Sequence, residues 1–218
     1  MRVSEKALEI ATNVIKEIKG RAADGGISLP FLAAMVEAAP DGDHVDIGSL
    51  FGASAIVVAL MKKELGHKGK VYCIDPYDEE ERKTQARVNL IPEELLSASP
   101  EALMENAKHF DVELKLIRGK SYPWPEELKD TVFVTAYIDG DHIGDAPGND
   151  FENLQGRVTN YIGTDNYEEE YADVVNAMWK AMNNDDWFLY YKNLTFVALR
   201  RILSCRSDPT TPFQILSL

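Results

Sequence analysis

The chain has 218 residues, of which 23 are Lys or Arg and 36 are Asp or Glu, so its formal net charge at pH 7 is −13. This acidic balance argues against a broad nucleic-acid-binding surface, because contacts to phosphates require clustered cations. The length and the 45% hydrophobic content fit one large α/β domain over 1–218, with N-terminal helices in 1–40, an α/β core in 41–203 and a tail in 204–218.

The cysteine content and the apolar runs indicate a compartment. Two cysteines, Cys73 and Cys205, are too few for a disulfide framework and favour a reducing environment. The N-terminus lacks the apolar segment of a signal peptide, and no apolar run approaches the roughly 18 residues that span a bilayer. We therefore expect a cytoplasmic protein with no membrane or nucleic-acid partner, and the sequence leaves open whether it forms a homo-oligomer.

Short apolar runs alternate with helical periodicity after two amphipathic helices at the start of the chain. This alternation predicts a parallel sheet with helices on both faces. The predicted strands are 44–47, 70–75, 112–118, 131–139 and 157–163. The segments predicted between them are a helix over 54–65, a helix within 92–110 and a crossover that includes 151–154.

The last third of the chain shows a different pattern. A helix is predicted over 167–182, and two runs of aromatic and β-branched residues follow it, at 187–191 and 194–199. Only Lys192 and Asn193 separate the runs, which is typical of a β-hairpin. The sequence thus predicts a Rossmann-like, doubly wound, mostly parallel sheet of seven strands that ends in an antiparallel hairpin. The tail has no predicted element.

A glycine-bearing turn follows the first predicted strand. Gly48 and Gly52 let a ligand approach the backbone and the N-terminus of the next helix. Leu50 stands where the dinucleotide-binding fingerprint has its second glycine, so the turn departs from that pattern. Asp75 ends the second strand, where an acid can accept both hydroxyls of a ribose, and Pro76 and Tyr77 offer an apolar flank for a base.

These features resemble the class I S-adenosylmethionine-dependent methyltransferases, and within them the small-molecule, catechol-type O-methyltransferases. The acid-x-Gly-x-x-x-Gly-x-Ser pattern that begins at Asp46 is similar to the first motif of the family. The loop after the third strand, which contains a glycine and a small serine, resembles its adenine-side loop. The resemblance covers about 40–200 and implies S-adenosylmethionine as the cofactor. The residues it assigns to that cofactor are Asp46, Gly48, Ser49, Gly52, Ser54, Asp75, Pro76, Gly119 and Ser121.

Oxygen-bearing side chains also follow the fourth and fifth predicted strands. Asp139 ends the fourth strand, and Asp165 and Asn166 follow the fifth, so we expect the three to converge at one edge of the sheet. Such a hard oxygen set suits Mg²⁺, and it resembles the metal site of the cation-dependent O-methyltransferases. His142 stands where those enzymes place a catalytic lysine, and it would act as a base with an ordinary pKa of roughly 6.5. We predict His142 and Asp139 as the catalytic residues.

The resemblance therefore implies transfer of a methyl group to a hydroxyl oxygen of a small molecule. The alternatives are an NAD-dependent or other redox enzyme on the same fold, and a catalytically silent member that binds a ligand or partner. Purely structural roles also compete. The two glycines can form an ordinary tight turn, Asp75 can cap a helix, Asp165 and Asn166 can begin the next helix, and His142 can be a hydrogen-bonded surface residue.

Overall fold

A computed structural model describes residues 1–22, 26–80, 82–83, 93–183 and 186–202. The predicted tail and Cys205 lie outside the described residues. In the described part of the chain, no helix has both the length and the apolar character needed to cross a bilayer.

The helices and strands follow the predicted alternation. The helices are α1 (Glu5–Glu17), α2 (Leu29–Glu37), α3 (Ala53–Leu65), α4 (Pro100–His109), α5 (Ala146–Gln155) and α6 (Ala172–Met182). The strands are β1 (His44–Ile47), β2 (Val71–Asp75), β3 (Lys115–Arg118), β4 (Phe133–Ile138), β5 (Val158–Thr164), β6 (Trp187–Asn193) and β7 (Phe196–Arg201). Short 3₁₀ turns lie at Glu93–Ser97, Glu126–Leu128 and Glu169–Tyr171.

One sheet contains all seven strands, in the order β3-β2-β1-β4-β5-β7-β6. Strands β1 to β5 are parallel, whereas β7 runs antiparallel to β5 and β6 runs antiparallel to β7. This topology confirms the predicted parallel sheet with a terminal hairpin. The strand order reverses between β1 and β4, and in open α/β sheets ligands bind at the carboxyl edge beside such a reversal.

Apolar cores cover both faces of the sheet, as predicted. On one face, α1, α2, α3 and α4 pack through residues such as Ala11, Leu32 and Ile56. On the other face, α5 and α6 pack through Phe151 and Met178. Because both faces are covered, the carboxyl and amino edges of the strands are where polar chemistry can meet the surface.

The hairpin turn lies two residues later than predicted. Strand β6 continues through Lys192 to Asn193, which pairs with Phe196, so the turn is formed by Leu194 and Thr195. The Lys192 ammonium lies 4.6 Å from the centre of a tyrosine ring, and the outermost strand of a sheet tolerates such a polar side chain. Strand β6 therefore does not end where the residues change from apolar to polar.

Other predicted elements are also shorter in the structure, among them the fourth strand, which is reduced from 131–139 to Phe133–Ile138. The strand predicted over 112–118 begins only at Lys115, because the Val112 N–H donates to the Ala107 carbonyl and completes the end of α4. The helix predicted over 167–182 is reduced to α6, with a 3₁₀ turn before it. The predicted crossover after β4 is α5.

Candidate functional site

A cavity of about 420 Å³ opens at the carboxyl edge of the parallel strands. Residues at the ends of four neighbouring strands line it, and they include Gly48, Asp75, Gly119 and Asp139. Backbone hydrogen bonds beyond the strands hold these ends side by side. The Gly48 N–H donates to the Ile74 carbonyl, and the Gly119 N–H donates to the Asp75 carbonyl. The volume is that of a small-molecule site.

Gly48 allows the end of β1 to touch the end of β4. Its φ is +85°, and a Cβ there would lie 2.0 Å from the carbonyl oxygen of Asp139. Gly52, with φ +87°, is the N-cap of α3. Position 48 therefore requires glycine because the backbones of two strand ends approach closely there, which is a stricter constraint than an ordinary tight turn imposes.

Asp75 fastens the glycine turn to the end of β2. One carboxylate oxygen accepts from the Leu50 N–H (2.9 Å) and the other from the Tyr77 N–H (2.8 Å). The Tyr77 hydroxyl then donates to the Leu50 carbonyl (2.8 Å). Burial raises the pKa of Asp75, and the two N–H donors oppose that shift. No local sequence pattern indicates the Tyr77 contact, because it depends on two segments meeting in space.

Asp46 lies beneath the turn, away from the cavity wall. It is fully buried, and its side chain accepts from the Ser54 hydroxyl (3.0 Å) while its carbonyl accepts from the Ser49 hydroxyl (3.2 Å). Burial raises the pKa of Asp46 to about 6, and the two serine hydroxyls oppose the shift. These three residues therefore shape the turn from below.

The residues predicted to hold the cofactor thus occupy different positions. Those that line the large cavity are Gly48, Asp75, Pro76, Gly119 and Ser121. Ser49 and Ser54 line a much smaller adjoining cavity, which Gly48, Asp139 and Asp165 also border. The residues predicted to contact the ribose and the adenine therefore line one cavity, and Ser49 and Ser54 of the first motif line the adjoining one.

Sequence reasoning missed Asp150, a cavity-lining acid on α5. Its side chain is 3% exposed, and one carboxylate oxygen accepts a hydrogen bond from the Ser121 hydroxyl. Burial raises the pKa of Asp150 to about 6, and the Ser121 hydroxyl opposes the shift. A signal was present, because Asp150 falls on the buried stripe of α5 beside Phe151 and Leu154, where an acid is out of place.

His142 and Asp139 both line the cavity, as the catalytic prediction requires. The His142 Nε2 lies 3.6 Å from the Asp139 carboxylate, and both side chains are partly buried. The ring of Tyr171 meets the imidazole edge-on, with 5.4 Å between ring centres. Tyr171 also lines the cavity and was not predicted.

The predicted metal ligands meet at the same edge, and Asp139 borders both cavities there. Asn166 shares the large cavity with Asp139, and Asp165 shares the small one with Asp139. One Asp165 oxygen accepts from the Ser28 hydroxyl (2.7 Å) and from the Asn166 N–H (2.9 Å). Asp165 and Asn166 do not begin a helix, since the N-cap of α6 is Tyr171. Among the described residues, no three or more His, Cys, Asp or Glu side chains form a group suited to a metal ion.

A family model described as a methyltransferase domain matches residues 45–161. No curated protein matches the chain. Among solved structures, an O-methyltransferase of Bacillus cereus in complex with SAH (S-adenosylhomocysteine) is 14% identical, with a TM-score of 0.57, and the match covers 91% of this chain and 92% of that one.

Two further structures share the fold. A methyltransferase of Podospora anserina bound to SAH is 12% identical with a TM-score of 0.57, over 92% of this chain and 89% of that one. A TDP-rhamnose 3′-O-methyltransferase of calicheamicin biosynthesis is 15% identical with a TM-score of 0.53, over 92% of this chain and 96% of that one. At these identities the likeness establishes the fold.

Replacing Gly48 by Ala should destabilise the protein by about 3 kcal/mol or more, because the new Cβ would collide with the Asp139 backbone at a positive φ. Gly66→Ala is the matched control, since Gly66 also has a positive φ (+70°) but faces open space, and its cost should be about 1 kcal/mol. Urea denaturation measures both, and equal losses would contradict the close approach.

Asp46 should make the unfolding free energy depend on pH. Because its pKa rises from 3.8 to about 6 on folding, the stability it contributes is complete below about pH 4 and is lost as the pH rises from about 4 to about 6. The Asp46→Asn side chain does not ionise, so the free energy of unfolding of this variant, relative to the wild type, should rise by about 3 kcal/mol between about pH 4 and about pH 6.

Denaturation at several pH values measures this difference, and Asp41→Asn is its control. Asp41 is exposed, and the backbone N–H groups of Gly69 and Lys68 lower its pKa to about 2. The stability that Asp41 contributes is lost only as the pH falls below about 4. Above that pH, the free energy of unfolding of Asp41→Asn should therefore differ from that of the wild type by a constant amount. If Asp46→Asn also runs parallel, Asp46 is not buried as described.

Proposed function

The chain belongs to the methyltransferase domain family, and we propose that it transfers a methyl group from S-adenosylmethionine to a hydroxyl oxygen of a small molecule. The observation that carries the proposal is the 420 Å³ cavity, whose wall combines the glycine turn, the acid at the end of β2 and the loop after β3. The SAH bound in the Bacillus cereus and Podospora anserina structures supports the choice of cofactor.

The wall residues suit the parts of that cofactor. Each Asp75 oxygen accepts one backbone N–H and keeps a second lone pair, which can accept a ribose hydroxyl. Pro76 offers an apolar flank for the base, and no atom lies within 4 Å of a Cβ built on Gly119, so the backbone there is approachable. When bound, S-adenosylmethionine supplies a methyl group already activated by its sulfonium charge.

His142 is the proposed base. It would accept the proton of the acceptor hydroxyl, and the Asp139 carboxylate, 3.6 Å from Nε2, would stabilise the imidazolium that results. Packing against Tyr171 limits rotation of the imidazole. Because the donor is activated, most of the rate enhancement would come from holding the acceptor in line with the methyl group.

Mg²⁺ is a further part of the proposal. Asp139, Asp165 and Asn166 offer the oxygen donors that Mg²⁺ prefers, and an ion held by them would act as a Lewis acid toward the acceptor oxygen. One Asp165 oxygen already accepts from the Ser28 hydroxyl and the Asn166 N–H, so its other oxygen would be the ligand.

Calorimetry with SAH tests the cofactor, and a matched pair of variants tests the base. We expect the wild type to bind SAH and not NAD, and no heat with SAH at millimolar concentration would contradict the proposal. His142→Gln should keep its SAH affinity and lose methyl transfer from labelled S-adenosylmethionine by about 100-fold or more. His109→Gln, at an exposed histidine paired with Glu17, should keep both.

The metal is tested by chelation of the active enzyme. Excess EDTA should lower methyl transfer by roughly 100-fold, and added Mg²⁺ should restore it. Asp165→Asn should weaken the Mg²⁺ response in the same assay, while Asp173→Asn, at an acid on α6 whose carboxylate accepts from the Gly144 N–H, should not. Full activity in EDTA would contradict the proposed role of Mg²⁺ and leave the proposed methyl transfer standing.

A further inference from the structure

Strand β6 forms one edge of the sheet, in a part of the fold that the proposed function does not use. Among the described residues it pairs with β7 alone, so its outer side meets no other strand. An open strand edge can pair with a strand of another chain, and proteins that avoid such pairing place charges or proline there.

This outer strand carries apolar side chains where a protected edge carries charges. Phe188 and Leu189 are 41% and 48% exposed, and because they are consecutive they lie on opposite faces of the sheet. The single charged residue of β6 is Lys192, whose ammonium lies over the ring of Tyr167. Trp179, on the helix α6 that contacts β6, is 56% exposed. Exposed apolar side chains grouped in this way mark a surface that another protein covers.

The charge distribution favours a second copy of this chain as the partner. The net charge of −13 makes two copies repel each other over most of their surfaces. The hairpin differs, because no Asp or Glu occurs from Trp187 to Arg201, although 36 of the 218 residues are acidic. Its arginines lie over rings of their own chain, Arg200 at 5.6 Å from the centre of Tyr161 and Arg201 at 5.9 Å from that of Trp187. The hairpin is therefore where two copies repel least, and its cations are already engaged.

We propose that the chain forms a homodimer in which β6 pairs with β6 of a second copy about a twofold axis, so that the two sheets become one. A twofold axis makes the two strands antiparallel. It also brings the start of one β6, next to the exposed Asp186, near the end of the other, which carries Lys192. Opposite charges then meet at both ends of the shared ladder, and the apolar side chains between them are buried. This inference is independent of the proposed methyl transfer.

Sedimentation velocity of the full chain tests the dimer. The wild type should sediment at micromolar concentration with twice the 24.4 kDa mass of one chain. Leu189→Lys introduces one ammonium from each copy at the shared edge, so the dimer should dissociate at least about tenfold more readily. Leu8→Lys is the matched control, because Leu8 is 53% exposed on α1, and it should dimerise as the wild type does.

Amide hydrogen exchange of the wild type locates the interface without a variant. The amides of 187–193 should exchange more slowly at concentrations where the dimer forms than after dilution to the monomer. This comparison decides if Leu189→Lys fails to fold.

Three results would overturn the inference. The first is a monomer at every concentration, and protected β6 amides in that monomer would show that another part of the same chain covers the edge. The second is a dimer whose β6 amides exchange as fast as those of the monomer. The third is a folded Leu189→Lys variant that dimerises as tightly as the wild type.

Discussion

The buried carboxylate of Asp75 holds the candidate site together. Its two oxygens need donors because they are removed from water, and they find them in the backbone of Leu50 and Tyr77. These bonds fix the turn after β1 against the end of β2, and the Tyr77 hydroxyl closes the arrangement from the other side. The group proposed to recognise the ribose is thus also a structural support, so occupancy of the site and stability of this edge are linked.

The architecture of the fold could be predicted from the sequence because its signals are local. Buried parallel strands are short apolar runs, and acids that end or follow them, such as Asp75 and Asp139, mark the carboxyl edge. Strand boundaries are harder to predict where a polar residue keeps the strand conformation. Lys192 remains within β6 because an outermost strand leaves its ammonium free to lie over an aromatic ring, so the predicted turn was displaced.

Other parts of the site depend on contacts between distant segments, for which the sequence has no local pattern. Ser121 and Asp150 come from a loop and a helix that meet only once the sheet is formed, and Ser28 reaches Asp165 from the start of α2. Contacts of this kind also give the acidic residues different surroundings. Asp46 becomes a buried support, Asp165 turns toward a serine, and Asp139 and Asp150 face the cavity.

The position of β1 at the centre of the parallel strands has a consequence for how the chain folds. His44 pairs with Val71 on one side and with Thr135 on the other, so the central ladder forms only after two long loops have closed. The hairpin of β6 and β7, joined by two residues, is a local structure of the kind that forms in roughly 1–10 μs. Loop-closure entropy therefore favours early formation of the hairpin edge, which carries no proposed site residue, and later formation of the ladder that carries the cavity.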